Sequence, residues 1–180
     1  MKNILKLVIS IVICELAGII GSIYTIPAVG NWYASLNKAS FNPPSWIFGP
    51  VWTILFFLMG ISLFLVWKKH WSVNVSEQGA SQKAWNPISS KLWIGSWREE
   101  NVIIVFILQL VLNILWSVIF FGLKMPGLAF FELIMLWFAI EYMVINFYRI
   151  SKVAGLLQIP YLLWVSFAGI LNLFVWILNQ

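Results

Sequence analysis

The sequence predicts an all-α membrane protein, a single domain (1–180) built as a bundle of five transmembrane helices. Three observations carry this. Of 180 residues, 62% are hydrophobic and only 9% charged, against about 25% charged in an ordinary soluble domain. Mean hydropathy is +0.92, which excludes both a soluble globule and a disordered chain. Five apolar stretches, 4–26, 47–67, 102–123, 127–148 and 154–178, each match the ~20 residues a helix needs to cross the hydrocarbon core. A membrane β-barrel is excluded, because barrel strands are about half this length and alternate with period two. Inside lipid each stretch must satisfy its own backbone, so each is helical.

The first span follows Lys2 and Lys6. Its apolar run continues to Ile26 without a clear small-residue cleavage site, so it reads as a retained span rather than a removed signal. Cys14 is the one cysteine, which excludes an internal disulfide and a Cys-based metal site. Glu15 sits near the middle of the span and is expected to hydrogen-bond to a neighbouring helix. Gly18-x-x-x-Ser22 is a small-xxx-small candidate for helix pairing.

The connection 27–45 is long, aromatic and rich in turn formers. Its Pro43-Pro44 ends the loop and can open the next helix, where a missing N–H is harmless. In the second span Trp52, Phe56, Met59 and Leu63 share one face. The extended polar connection 68–101 is too short for a core of its own. Its Trp71, Trp85, Trp93 and Trp97 are expected at the membrane interface, and His70, among Lys68, Lys69 and Trp71, on a solvated flank.

In the third span Gln109, Asn113, Trp116, Ser117 and Phe120 recur at spacings of three and four, forming one stripe. In the fourth, Glu132 and Glu141 are nine residues apart and project to opposite faces, so they cannot form an acid–base pair. Glu141 is expected to bridge helices. In the fifth, Tyr161, Trp164, Ala168 and Asn172 form a stripe that Asn179 continues. Kinks are expected near Pro50 and Pro160. Polar groups in a bilayer face the bundle interior. Three inward stripes of aromatics and amides can therefore enclose an apolar cavity with a few donors, the composition of a small-molecule site. The plainer alternative is structural. Amides in such helices often only bridge neighbours, at about 0.6 kcal/mol each.

Basic residues set the expected orientation. Lys2, Lys6, Lys68, Lys69, Lys83, Lys91, Arg98, Arg149 and Lys152 fall on one side of five spans, with Lys38 and Lys124 on the other. The N-terminus is therefore expected in the cytoplasm and the C-terminus outside, in a prokaryotic cell membrane. Basic residues grouped between apolar runs point to the bilayer as partner and not to nucleic acid. No phosphate loop, nucleophile triad, metal constellation or internal repeat is present in the sequence, so an inverted-repeat transporter lacks support.

Several runs resemble the TspO/MBR family, the translocator proteins or tryptophan-rich sensory proteins, also known as peripheral benzodiazepine receptor-like. They are Asn31-Trp32-Tyr33 to Leu36, Phe41-Asn42-Pro43-Pro44-Ser45-Trp46 and Val51-Trp52-Thr53. Further along come Gln109-Leu110, Leu112-Asn113, Trp116-Ser117 and Phe120-Phe121-Gly122. The last are Pro160-Tyr161-Leu162-Leu163-Trp164, Phe167-Ala168 and Leu171-Asn172. The resemblance runs in order along nearly the whole chain. It implies a five-helix bundle, often a homodimer, with an aromatic pocket for porphyrins (protoporphyrin IX, heme-related tetrapyrroles) and other lipophilic ligands. No covalently bound cofactor is implied; the porphyrin would be a ligand. Trp32 and Tyr33 would belong to a lid. Trp52, Asn113, Trp116, Tyr161, Trp164 and Ala168 would line the pocket, beside Phe56, Ser117 and Asn172 of the stripes. The implied role is sensor, regulator or carrier in tetrapyrrole or stress metabolism. The alternatives are light-dependent porphyrin degradation, with Trp52 and Trp164 as the tentative catalytic pair, or transport of a small lipophile or sterol. Two features depart from the family. The sterol-recognition Tyr and its following basic residue are missing from Leu171–Gln180, and the 68–101 connection is longer than usual.

Overall fold

A computed structural model of the chain describes the backbone of residues 2–81 and 90–180 and the side chains of 3–69 and 102–180. His70 and the four tryptophans of the 68–101 connection lie outside the described side chains. Seven helices form. These are α1 (Lys2–Val29), α2 (Trp32–Ser35), α3 (Phe48–Ser81), α4 (Ser90–Ser117), α5 (Pro126–Ile150), α6 (Lys152–Leu156) and α7 (Ile159–Leu178). Among the described residues there is no strand. Five helical segments are long and apolar enough to cross a membrane: Asn3–Val29, Ser45–Lys69, Val102–Gly122, Pro126–Ile150 and Lys152–Leu178. The chain is a multi-pass membrane protein.

Two elements differ from the expected boundaries. Much of the 68–101 connection is helical, since α3 continues to Ser81 and α4 starts at Ser90. No proline lies between Val51 and Ser81, so nothing local stops the i→i−4 ladder where the chain turns polar. The fifth span is built in two pieces, α6 and α7. Ser151 caps α6 by accepting a hydrogen bond from the Ala154 amide (3.5 Å). Pro160 falls in the first turn of α7, and Pro50 in the first turn of α3. Near Pro160 the span is interrupted at Leu157-Gln158, and near Pro50 a 3-10 turn, Ser45–Ile47, leads into α3; neither proline breaks a helical bond, because first-turn N–H groups have no helical partner to lose.

The helices close into a ring. α1 packs on α3 and α4, and α5 packs on α4 and α7. Trp52 against Tyr161 (6.1 Å between ring centroids) and Phe48 against Trp164 (6.1 Å) join α3 to α7. The α1–α3 seam is tight because Gly60 sits against the Ile11 backbone; a Cβ there would lie 2.6 Å from the Ile11 Cα. The interior holds Cys14, Met59, Phe106, Leu136, Ile140, Met143 and Phe147. Large apolar side chains such as Leu5, Leu16, Ile54, Ile104, Phe131, Phe138 and Leu163 point outward on every span, as a lipid-facing coat requires. The carboxylates of α5 separate as their spacing predicts. Glu132 is buried, and Glu141 is partly exposed.

At the end of α4 the ladder widens into a π-helical turn, Val118–Gly122, closed by the Leu123 amide on the Val118 carbonyl (2.8 Å). Such turns insert one extra residue and shift the side chains that follow. Here Ile119, Phe120 and Phe121 all become buried. Lys124, at φ 56, then reverses the chain into α5.

Candidate functional site

The bundle holds a partly open cavity of about 500 Å³ bounded by α1, α3, α4 and α7 and by the connection after α1. That lies within the usual range for a small-molecule pocket. Its α4 wall is an aromatic cluster. Trp116 stacks on Phe120 (5.1 Å, 20°), and Phe121 meets both rings edge-on (5.8 and 4.8 Å). The π-helical turn brings Phe120 and Phe121 to the same wall as Trp116. Across the cavity α3 contributes Trp52 and Phe56, whose rings pack at 5.6 Å. α7 adds Ala168, Leu171, Asn172 and Val175.

Hydrogen bonds fix the orientation of these rings. The Trp116 indole Nε1 donates to Asn172 Oδ1 (3.1 Å), and Asn172 Nδ2 donates to the Pro126 carbonyl (2.7 Å). Asn113 Nδ2 donates to the Tyr161 hydroxyl (3.0 Å), which donates in turn to Gln109 Oε1 (3.0 Å). Gln109 Nε2 ends the chain on Met59 Sδ (3.8 Å).

The connection after α1 covers one end. Tyr33 reaches into the cavity beneath it, among Phe48, Phe120 and Phe121 (6.4, 6.2 and 5.9 Å). Its hydroxyl donates to Asn42 Oδ1 (2.9 Å), and burial pushes the phenol above its ordinary range, so it stays a neutral donor. Lys38 Nζ gathers the Tyr33 and Leu36 carbonyls (2.7 Å each). The C-terminus holds this lid. The Asn37 amide donates to Asn179 Oδ1 (2.9 Å), and Asn179 Nδ2 returns to the Asn37 carbonyl (2.8 Å). Phe41 seats edge-on against Phe174 (5.3 Å). Trp46, 74% exposed, stands at the rim.

A profile of the TspO/MBR family matches residues 10–177. The chain belongs to the TspO/MBR family. It is 38% identical to the tryptophan-rich protein TspO of Archaeoglobus fulgidus, over 98% of this chain and 99% of that one. It is also 38% identical to TspO of Chlorobaculum tepidum, over 99% and 98%. The human translocator protein is 36% identical over 81% of this chain and 73% of its own.

Against the residues that the family resemblance and the helical stripes singled out, the geometry sorts three groups. Tyr33, Trp52, Phe56, Asn113, Trp116, Ser117, Ala168 and Asn172 line the cavity. Tyr161 does not; it is fully buried behind the wall and braces Asn113. Trp32 lies in the lid and touches Phe120 edge-on (5.6 Å) without lining the cavity. Trp164 stands outside too, between Phe48 and Phe167 (6.1 and 5.8 Å), with its buried Nε1 unpaired. Trp52 and Trp164 therefore do not face one ligand space. On α7, Trp164 and Ala168 share a stripe yet part at the cavity, because four residues advance a helix by 400°, a 40° offset that carries Trp164 off the wall.

The α1 wall was not anticipated. Glu15, Gly18, Gly21, Ser22 and Thr25 line it. Gly18 and Ser22, read as a candidate for helix pairing, border the cavity. A Cβ at Gly18 would meet the Phe56 ring at 2.6 Å. Among the described residues Glu15 makes no bridge to a neighbouring helix, contrary to expectation; it lines the cavity. The legible signal was small and polar residues at spacings of three and four along one face.

Proposed function

We propose that this protein binds a porphyrin or a comparable flat lipophile in the aromatic cavity, as a membrane sensor, regulator or carrier. The carrying observation is the wall itself. Trp52, Phe56, Trp116 and Phe120 line a 500 Å³ space under a latched lid. Aromatic stacking adds about 0.5–1.5 kcal/mol per pair beyond area burial, and a macrocycle offers the matching faces. Among the described lining residues there is no Lys, Arg or His. The carboxylates of a porphyrin would therefore point out through the rim rather than into the wall. By the distribution of basic residues the lid and C-terminus face outward from the cytoplasm. The Asn37–Asn179 contact supports at least their sharing one side. Homodimer formation is expected on the family resemblance.

The test is a titration of purified protein with protoporphyrin IX, followed by tryptophan quenching. Trp52→Ala and Trp116→Ala are expected to weaken binding by about tenfold each, the size of one lost stacking face, while Trp164→Ala leaves it within twofold. Equal affinity in all three variants contradicts the reading. A second reading, light-dependent breakdown of the porphyrin with dioxygen as oxidant, draws on Trp52 lying at the wall and 6.1 Å from Tyr161. It requires illuminated complex to lose pigment faster than free pigment, and to lose that advantage in Trp52→Phe.

A further inference from the structure

The α1 side of the cavity runs from Glu15 to Val29, about 20 Å along the helix axis. Val29 lies at the lid end. Glu15 lies at the far end, where Phe56 covers Gly18. Glu15 is the one carboxylate among the described lining residues, and no described residue hydrogen-bonds or ion-pairs with it. Several donors on the same wall are already engaged. Ser22, Thr25 and Thr53 turn their hydroxyls back onto the Ile19, Gly21 and Gly49 carbonyls (2.7, 3.1 and 3.1 Å). Asn113 and Asn172 are committed to Tyr161 and Pro126. Among the described lining residues this end thus carries one half-exposed carboxylate, the strongest acceptor in a largely apolar chamber. A ligand that fills the chamber and brings a hydrogen-bond donor gives that carboxyl a charge-assisted partner.

The geometry points to Glu15 as the specificity-determining residue of the cavity. It accepts a lipophile that leads with a hydrogen-bond donor, a protonated amine or an N–H or O–H, and it rejects one that leads with a carboxylate. This rests on the cavity being the ligand site, as proposed above. It also fixes how a porphyrin would enter, with its carboxylate edge last.

Three probes of one shape test the assignment: 1-pyrenemethylamine, 1-pyrenemethanol and pyrene-1-carboxylate. Binding is read as tryptophan-to-pyrene energy transfer in maltoside micelles, for wild type, Glu15→Gln and the cavity-filling Ala168→Phe. In wild type the amine is expected to bind at least about tenfold tighter than the carboxylate, the worth of one charge-assisted hydrogen bond. Glu15→Gln should collapse the amine-to-alcohol ratio towards one while still binding the alcohol. If Glu15→Gln does not fold, Glu15→Asp, one methylene shorter, should reduce the ratio in part. An unchanged ratio, with alcohol binding still abolished by Ala168→Phe, overturns the role of Glu15 and leaves the cavity reading standing. Alcohol binding that survives Ala168→Phe overturns the cavity reading, and the Glu15 assignment with it.

Discussion

The two ends of the cavity are held together by different physics. At the lid end nearly every polar group has a named partner. Tyr33 is tied to Asn42, Trp116 to Asn172, Asn172 to Pro126, and Asn37 to Asn179. At the deep end the helices meet through small residues. Gly60 lies on the Ile11 backbone and Gly18 under Phe56, while Glu15 is left without a partner. Hydrogen bonds are directional, so the lid end fixes how rings are turned. Close packing is not directional but is intolerant of volume, so the deep end fixes how far apart α1 and α3 stand. The cavity has a defined shape because both kinds of constraint act on it.

That contrast can be broken from either side. The largest effect is expected at the deep seam. Gly60→Ala places a methyl 2.6 Å from the Ile11 Cα, and backbone cannot step aside. Overpacking of this kind costs about 1–3 kcal/mol, and thermal unfolding in detergent should show a lowered midpoint. A midpoint equal to wild type would mean the seam is loose. Next comes the polar brace behind the wall. Tyr161→Phe removes two hydrogen bonds at once, to Gln109 and Asn113. With membrane hydrogen bonds averaging about 0.6 kcal/mol and reaching 1.7, the expected cost is about 1–3 kcal/mol. The same melt reads it, and a Tyr161→Phe protein as stable as wild type would show that the network only decorates the core.

A smaller effect belongs to the latch. Asn179→Ala removes the reciprocal bonds to Asn37 on an exposed surface, where about 1 kcal/mol is at stake. Ligand release should quicken by about fivefold in stopped-flow fluorescence, with the melting midpoint scarcely moved. A release rate like wild type would detach the latch from the lid. The smallest effect is Gly49→Ala, where an added Cβ meets nothing within 4 Å. It should stay within about 0.5 kcal/mol, in keeping with an open surface site, and a larger loss would show that the rim is crowded at Gly49.

The spans were readable from sequence because lipid imposes a length and an apolar composition that few other structures share. The inward stripes were readable for the same reason, since Asn113, Trp116, Ser117 and Asn172 are too polar to face lipid. What escaped was decided by geometry finer than a helical face. Trp164 and Ala168 share a stripe, yet only Ala168 reaches the cavity. Tyr161 looked like a wall residue but spends its hydroxyl on two amides. The π-helical turn, which brings Phe120 and Phe121 beside Trp116, has no periodic signature. The α1 wall was missed because glycine and serine at helical spacing fit a helix-pairing motif equally well, and Gly18 serves both, lining the cavity while the Phe56 ring packs over it.

The central claim, that the space between α1, α3, α4 and α7 is where the ligand sits, is tested most directly by filling it. Ala168 lines the cavity, while Leu163 on the same helix faces outward. Protoporphyrin IX should be titrated against wild type, Ala168→Phe and Leu163→Phe under identical conditions. Binding lost in Ala168→Phe and kept in Leu163→Phe is the predicted result. Equal binding by all three proteins would place the ligand elsewhere and contradict the account.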